Sequence, residues 1–330
     1  MSEQAPLEAA NLRNVARPAR EWPGVATLWD PGDGAAVFEL TREDALITPE
    51  VIAALAACEP VIADGFEGLI LTSNHPRLFA FGAAGPFRHT IQTGDAAPSL
   101  AFLLEGQSTL QQLRGAPFPV VAAVHGLAFS GACEIALFAN GLVVEETAPI
   151  ALKEIWVGLI PGWGGCCQLM LRQQAAGHDA LASARIALTL CARGHIAQGE
   201  VEGRQTHLLR SHDRTVQSRA ELIPSAQALV HSLAGTQPER DAVLQMPAAA
   251  EMSELKNHVA QLDEQLGFAL VEAAGMQALL GVLTASSGAS ILESEYMARE
   301  AHAFLPLLKP SLGPRFAHLA RTGQRPPRDA

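Results

Sequence analysis

Short apolar runs alternate with helix-spaced apolar positions through the first two thirds of the chain. Residues 25–29 and 35–40 read as strands around the turn Asp30-Pro31-Gly32-Asp33-Gly34. Thr48-Pro49 opens a helix, with Thr at the N-cap, Pro at the first helical position and Val51, Ile52, Leu55 and Ala56 on one face. Residues 68–72 (GLILT) suit a buried parallel strand, and 73–86 read as a Gly- and Ala-rich loop. Residues 98–114 are predicted helical, with Leu100, Leu103, Leu104, Leu110 and Leu113 apolar. Further on come a strand at 120–124, a turn at His125-Gly126, a helix at 132–139, strands at 141–144 and 150–152, a glycine loop at 158–165 and a helix at 166–172. This alternation predicts an α/β core. Past Gly177 the strand signals fade into Ala- and Leu-rich helical spacing, and Ser290 with Glu293 reads as a capping box. The expected organisation is an N-terminal tail (1–22), a core (23–200) and a helical C-terminal region (201–330).

One stretch imitates a membrane span. Residues 118–144 contain a single charged residue, Glu134, in 27 positions. A carboxylate near the middle, with Gly126 and Gly131 dividing the run, favours strand, turn and buried helix over a bilayer segment.

Composition narrows the classes. At 330 residues, 48% hydrophobic and 17% charged, the chain has material for a substantial core. Its net charge of −11 opposes nucleic-acid binding, which rests on many Lys and Arg contacts to phosphate. The five cysteines form no C-x-x-C pair, which argues against a zinc ribbon, and they are too few for a disulfide scaffold. A reducing cytoplasm is the expected compartment, and the opening residues lack the apolar core of a secretory signal.

No phosphate loop and no strand-linked G-x-G-x-x-G are present, the 11 histidines show no metal spacing, and Ser130 does not sit in G-x-S-x-G. Two carboxylates remain. Glu134 lies in an apolar helix just after a glycine turn, and Glu154 lies between Ala151-Leu152 and Ile155-Trp156-Val157. A carboxylate in apolar surroundings is costly, and function commonly accounts for it, although either could also make a structural bond. Gly131 at a helix start allows a ligand close to a backbone N–H, and Gly82 could position a second; two converging N–H groups make an oxyanion hole.

These residues resemble the crotonase, or enoyl-CoA hydratase, superfamily. Ser130-Gly131-Ala132-Cys133-Glu134 is similar to its Gly-Gly-Gly-Cys-Glu helix start, and Glu154 through Gly165 to its Glu…Gly-Leu-x-Pro-Gly-x-Gly-Gly segment. LFAFGAAG and LTREDALIT resemble two further motifs. The resemblance implies a crotonase-like ββα superhelix with helical C-terminal region. It implies oxyanion amides at Ala83 and Gly131, catalytic carboxylates at Glu134 and Glu154 bracketing one water, and a nucleotide-side cation at Arg42. Phe81, Gly82, Phe129 and Trp163 become candidate substrate-binding positions. The implied reaction is hydration of a 2-enoyl-CoA, with isomerisation, acyl-CoA hydrolysis or acyl-CoA binding without turnover as alternatives. No metal and no cofactor beyond the coenzyme A thioester substrate are implied, and no nucleic-acid or membrane partner. The family implies a homotrimer or dimer of trimers. The C-terminal segment looks like the end of the hydratase half of fused bacterial fatty-acid oxidation proteins, which makes a 3-hydroxyacyl-CoA dehydrogenase a candidate partner. Departures fall at Phe81, Ala84, Ser130 and Ala132.

Overall fold

From the third strand to the tenth, consecutive strands enter different sheets, and that alternation generates the fold. In the computed structural model, which describes residues 12–83, 85–236, 241–284 and 288–329, one sheet has seven strands. Its order is β1 (Arg17–Trp22), β2 (Ala26–Asp30), β3 (Ala35–Leu40), β5 (Gly68–Ser73), β7 (Val120–Val124), β9 (Gly141–Glu145), β12 (Arg214–Val216). The second sheet runs β4 (Leu46–Ile47), β6 (Leu78–Ala83), β8 (Leu127–Phe129), β10 (Pro149–Ala151), β11 (Ala197–Gln198). From β3 to β10 the chain thus deposits one strand in each sheet and returns through helix, as a ββα spiral; β3–β5–β7–β9 and β4–β6–β8 are parallel.

The chain forms two compact units, one of residues 1–83, 108–150 and 197–240 and one of 84–107, 151–196 and 241–330. Both large sheets belong to the first. There β3, β5 and β7 are buried along their whole length, which is why they read as mainly apolar runs, with Glu39 and the Thr72-Ser73 end as buried polar exceptions. Val37, Ile70, Val121, Ala123 and Val143 present one face to the helix Leu222–Leu233, which answers with Leu222, Ile223, Ala226, Leu229 and Val230. Burying each of the larger side chains contributes about 1.5–3 kcal/mol. The second unit is helical, apart from an antiparallel ribbon of β13 (Val243–Gln245) and β14 (Ser290–Leu292).

The 118–144 stretch resolves into the expected strand β7, helix Gly131–Phe138 and strand β9, and adds the short strand β8 between the turn and the helix. None of the described helices is long and apolar enough to cross a membrane. Several expectations are corrected. Part of the 1–22 tail is strand: β1 pairs antiparallel with β2. The 73–86 loop contains β6, whose glycine-containing sequence hides it. Short strands persist past Gly177, but two or three residues carry no readable period. The helix Leu222–Leu233 packs onto the large sheet of the first unit. Thr48 begins the helix Pro49–Ala56 without a side-chain cap bond. Ser290 does not cap a helix either: it lies in β14, its Oγ is 2.8 Å from Gln245 Oε1 across the ribbon, and the helix starts at Glu293.

Candidate functional site

In the first unit, β6 and β8 run parallel with Phe81 paired to Phe129. Two residues beyond each Phe stand Ala83, the last residue of β6, and Gly131, just past the end of β8. Gly82 has φ +52° and Ser130 has φ 57°, ψ −124°. Ser130 therefore occupies backbone space that strongly favours glycine. Gly131 then heads the helix Gly131–Phe138, whose first-turn N–H groups have no carbonyl within the helix to meet and lie at its positive end. Glu134 is one turn on, its own N–H bonded to Ser130 O at 3.0 Å. Every residue of this helix is buried, and Glu134 is 3% exposed.

Phe129 is buried and Phe81 half-buried. A cavity of about 30 Å³ is lined by Phe79, Ala80, Leu71, Thr72 and Ile135 among others. Arg42 lies in the loop after β3, where its Nε and Nη2 donate to the two Asp44 oxygens at 2.9 and 2.8 Å. Asp44 had not been singled out; an Arg-x-Asp spacing in a loop is the signal that would have flagged it. Ala84 lies outside the described residues.

Glu154 and Trp163 belong to the second unit. Glu154 starts the single 3-10 turn Glu154–Val157, which ends at Gly158 with φ 84°. It is 8% exposed. Buried Cys191 senses it: a hydrogen bond with Cys166, then burial, then the charges of Cys166, Glu154 and Glu300 hold the Cys191 thiol well above its usual pKa. Glu300 and Tyr296 lie on the buried face of the helix Glu293–Phe304. Lys153, just before Glu154, is pushed down to about 8 by burial. Trp163 is 1% exposed, with its ring edge-on to Phe102 at 5.2 Å. Gln107 fastens the Trp163 loop, its Nε2 donating to Gly162 O at 2.9 Å and to Met297 O at 2.7 Å. In the sequence, the signal of Gln107 is a single amide on the Leu103–Leu110 apolar face.

In the first unit Phe81 thus pairs with Phe129, Gly82 and Ala83 continue β6, Gly131 and Glu134 lie in the helix after β8, and Arg42 lies in the loop between β3 and β4. Among the described residues, no group of three or more His, Cys, Asp and Glu side chains is placed to hold a metal ion. All five cysteines are buried free thiols.

Residues 43–194 match the enoyl-CoA hydratase/isomerase family model. A probable 3-hydroxyacyl-CoA dehydrogenase of Bacillus subtilis (strain 168) is 26% identical over 212 residues, 64% of this chain and 27% of its own length. A fatty acid oxidation complex subunit alpha of Vibrio vulnificus (strain CMCP6) is 37% identical over 109 residues, 32% of this chain and 15% of its own length. The chain spans less than a third of either relative. The crystal structure of an enoyl-CoA hydratase/isomerase from Mycobacterium paratuberculosis shares the fold, with a TM-score of 0.54 at 17% identity over 88% of this chain and 99% of its own. The ββα spiral and the glycine-turn helix carrying Glu134 agree with the match of residues 43–194 to the enoyl-CoA hydratase/isomerase family, which this part of the chain resembles.

Proposed function

We propose that the chain hydrates a 2-enoyl-CoA to a 3-hydroxyacyl-CoA. The observation that carries this reading is the Phe81–Phe129 register, which sets the Ala83 and Gly131 amides at the ends of adjacent parallel strands with Glu134 one helical turn away. Two N–H donors aimed at a thioester oxygen stabilise the enolate-like charge of the transition state, where loss of one such donor typically costs about 10²–10³-fold. Glu134 takes part in activating the water, which adds as hydroxide to the β-carbon. Glu154 supplies the proton to the α-carbon. Substrate oxidation state is conserved overall by water addition, so the step calls for no redox cofactor. Arg42 serves the anionic coenzyme A moiety.

The product is the substrate of a 3-hydroxyacyl-CoA dehydrogenase, and the names of the two relatives support such a partner. A homotrimer or dimer of trimers, and a cytoplasmic site of action, belong to the same proposal.

Loss of the conjugated enoyl-thioester absorbance, followed over several acyl chain lengths, tests it. Glu134→Gln and Glu154→Gln each keep shape but cannot exchange the proton, and each is expected to lower turnover by about 10²–10⁴-fold. Release of free coenzyme A thiol would assign a hydrolase, a migrated double bond an isomerase, and tight binding without turnover a non-catalytic acyl-CoA binder.

A further inference from the structure

The turn that carries Glu154 is gripped by the C-terminal segment of its own unit. The carbonyl of Trp156, two residues past Glu154, accepts from both Nε (3.1 Å) and Nη2 (2.9 Å) of Arg315. Trp156 lies within the four-residue 3-10 turn Glu154–Val157, and the last carbonyls of so short a helix must find partners elsewhere. Arg315 is 0% exposed, and its other donors are committed: Nη2 to Glu272 Oε1 at 2.6 Å and Nη1 to Pro327 O at 2.8 Å. Glu272, 1% exposed, also accepts from Arg325 Nε at 2.9 Å and Nη2 at 2.5 Å and from the Ala269 N–H at 2.7 Å. A buried ion pair is held in one geometry only when its spare donors and acceptors are satisfied, as here.

The ends of the turn are fastened as well. Lys153 Nζ donates to Gly323 O at 3.1 Å and lies 4.4 Å from the Trp156 ring centroid. After the turn, a Cβ on Gly158 would come within 2.7 Å of Val271 and 3.1 Å of Leu312. Within the turn, Glu154 O and Ile155 O are met by the backbone N–H groups of Leu159 and Gly158, and the Trp156 carbonyl is met by Arg315.

We propose that Arg315, aligned by Glu272, is a positioning residue for Glu154: through the Trp156 carbonyl it fixes the 3-10 turn so that the carboxylate meets the reacting carbon in one orientation. This rests on the catalytic role of Glu154 given above. A guanidinium suits the task because its rigid fork serves a carbonyl and a carboxylate together, which an ammonium does not reproduce. Misplacing a reacting group by about 1 Å costs on the order of 10²-fold.

The test compares wild type with Arg315→Lys and Glu272→Gln on a 2-enoyl-CoA, alone and in a Glu154→Gln background, with amide hydrogen exchange measured across the Glu154 turn. Arg315→Lys is expected to lower kcat about 10–100-fold while KM stays within about twofold. In the Glu154→Gln background the same substitution is expected to cost less than about twofold, because no catalytic carboxylate is left to misplace. Exchange should quicken in the turn and stay slow in β7. Wild-type kcat in Arg315→Lys, equal losses in both backgrounds, or unchanged exchange in the turn would overturn the proposal. A wild-type protein without Glu154-dependent turnover would instead overturn the hydratase reading, and the exchange data would still decide whether Arg315 holds the turn.

Discussion

A Cβ on Gly106 would stand 2.2 Å from Nε1 of Trp163, so the helix Ala97–Arg114 and the indole meet with no atom to spare. The indole cannot swing aside freely, because it is 1% exposed and already edge-on to Phe102. Gly106→Ala would gain about 1 kcal/mol of helix propensity. Overpacking costs about 1–3 kcal/mol, and against a rigid ring the clash should win. The expected outcome is a lower urea midpoint with an unchanged slope.

Ser130 holds φ 57°, ψ −124° at the start of the Glu134 helix. Such a conformation costs a non-glycine residue about 1–3 kcal/mol, while glycine adds roughly 0.5–1 kcal/mol of unfolded-state entropy. Ser130→Gly should therefore stabilise the protein by about 1 kcal/mol, and Ser130→Val should destabilise it. Chemical unfolding of the two variants checks both signs.

His125 ends β7 in a buried position, 1% exposed, with Nε2 bonded to His75 O at 2.9 Å. Burial, and then the nearby Arg219 charge, lower its pKa from 6.5 to about 4. The unfolded chain thus binds a proton at a pH where the folded chain does not. The contribution is complete above pH 6.5 and is lost as pH falls from 6.5 towards 4. At roughly 1.4 kcal/mol per unit the loss is on the order of 3 kcal/mol. Stability measured between pH 7 and 4 should fall less steeply in His125→Gln than in wild type.

Arg42 is 26% exposed and shares its fork with Asp44, itself 45% exposed. A pair this open contributes about 0–1 kcal/mol to stability, so Arg42→Ala should leave the thermal midpoint nearly unchanged. Under the coenzyme A reading it raises KM several-fold and moves kcat little. An unchanged KM would leave Arg42 with Asp44 alone.

The parts of the fold that could be read in the sequence are those whose environment is uniform along the chain. β3, β5 and β7 are covered throughout and show as mainly apolar runs. β6 was read as loop because glycine and alanine interrupt it, although it carries Phe81 and Gly82. Ser290 misled because a hydroxyl that caps a helix bonds equally well across a ribbon. At the site, carboxylates in apolar surroundings beside glycine loops marked Glu134, after its loop, and Glu154, before its loop. Gln107 meets Met297 at a separation of 190 residues and Arg315 meets Trp156 at 159. No local pattern encodes such pairs, since only the folded backbone brings them together.

β1 has a consequence beyond its place in the sheet order. As the border strand of the seven-stranded sheet it is exposed from Arg17 to Glu21, and its pairing with β2 shifts register between Pro18 and Arg20. Pro18 offers no N–H, Arg17 is drawn to Asp30 at 3.2 Å and Arg20 lies over Trp22 at 5.0 Å. A foreign strand arriving there would find a broken hydrogen-bond ladder and charge to desolvate. Beneath lies β2, with Ala26, Leu28 and Trp29 all buried. Stripping away β1 would bare an apolar, pairing-competent border, so this short charged ribbon works as a guard against self-templated aggregation.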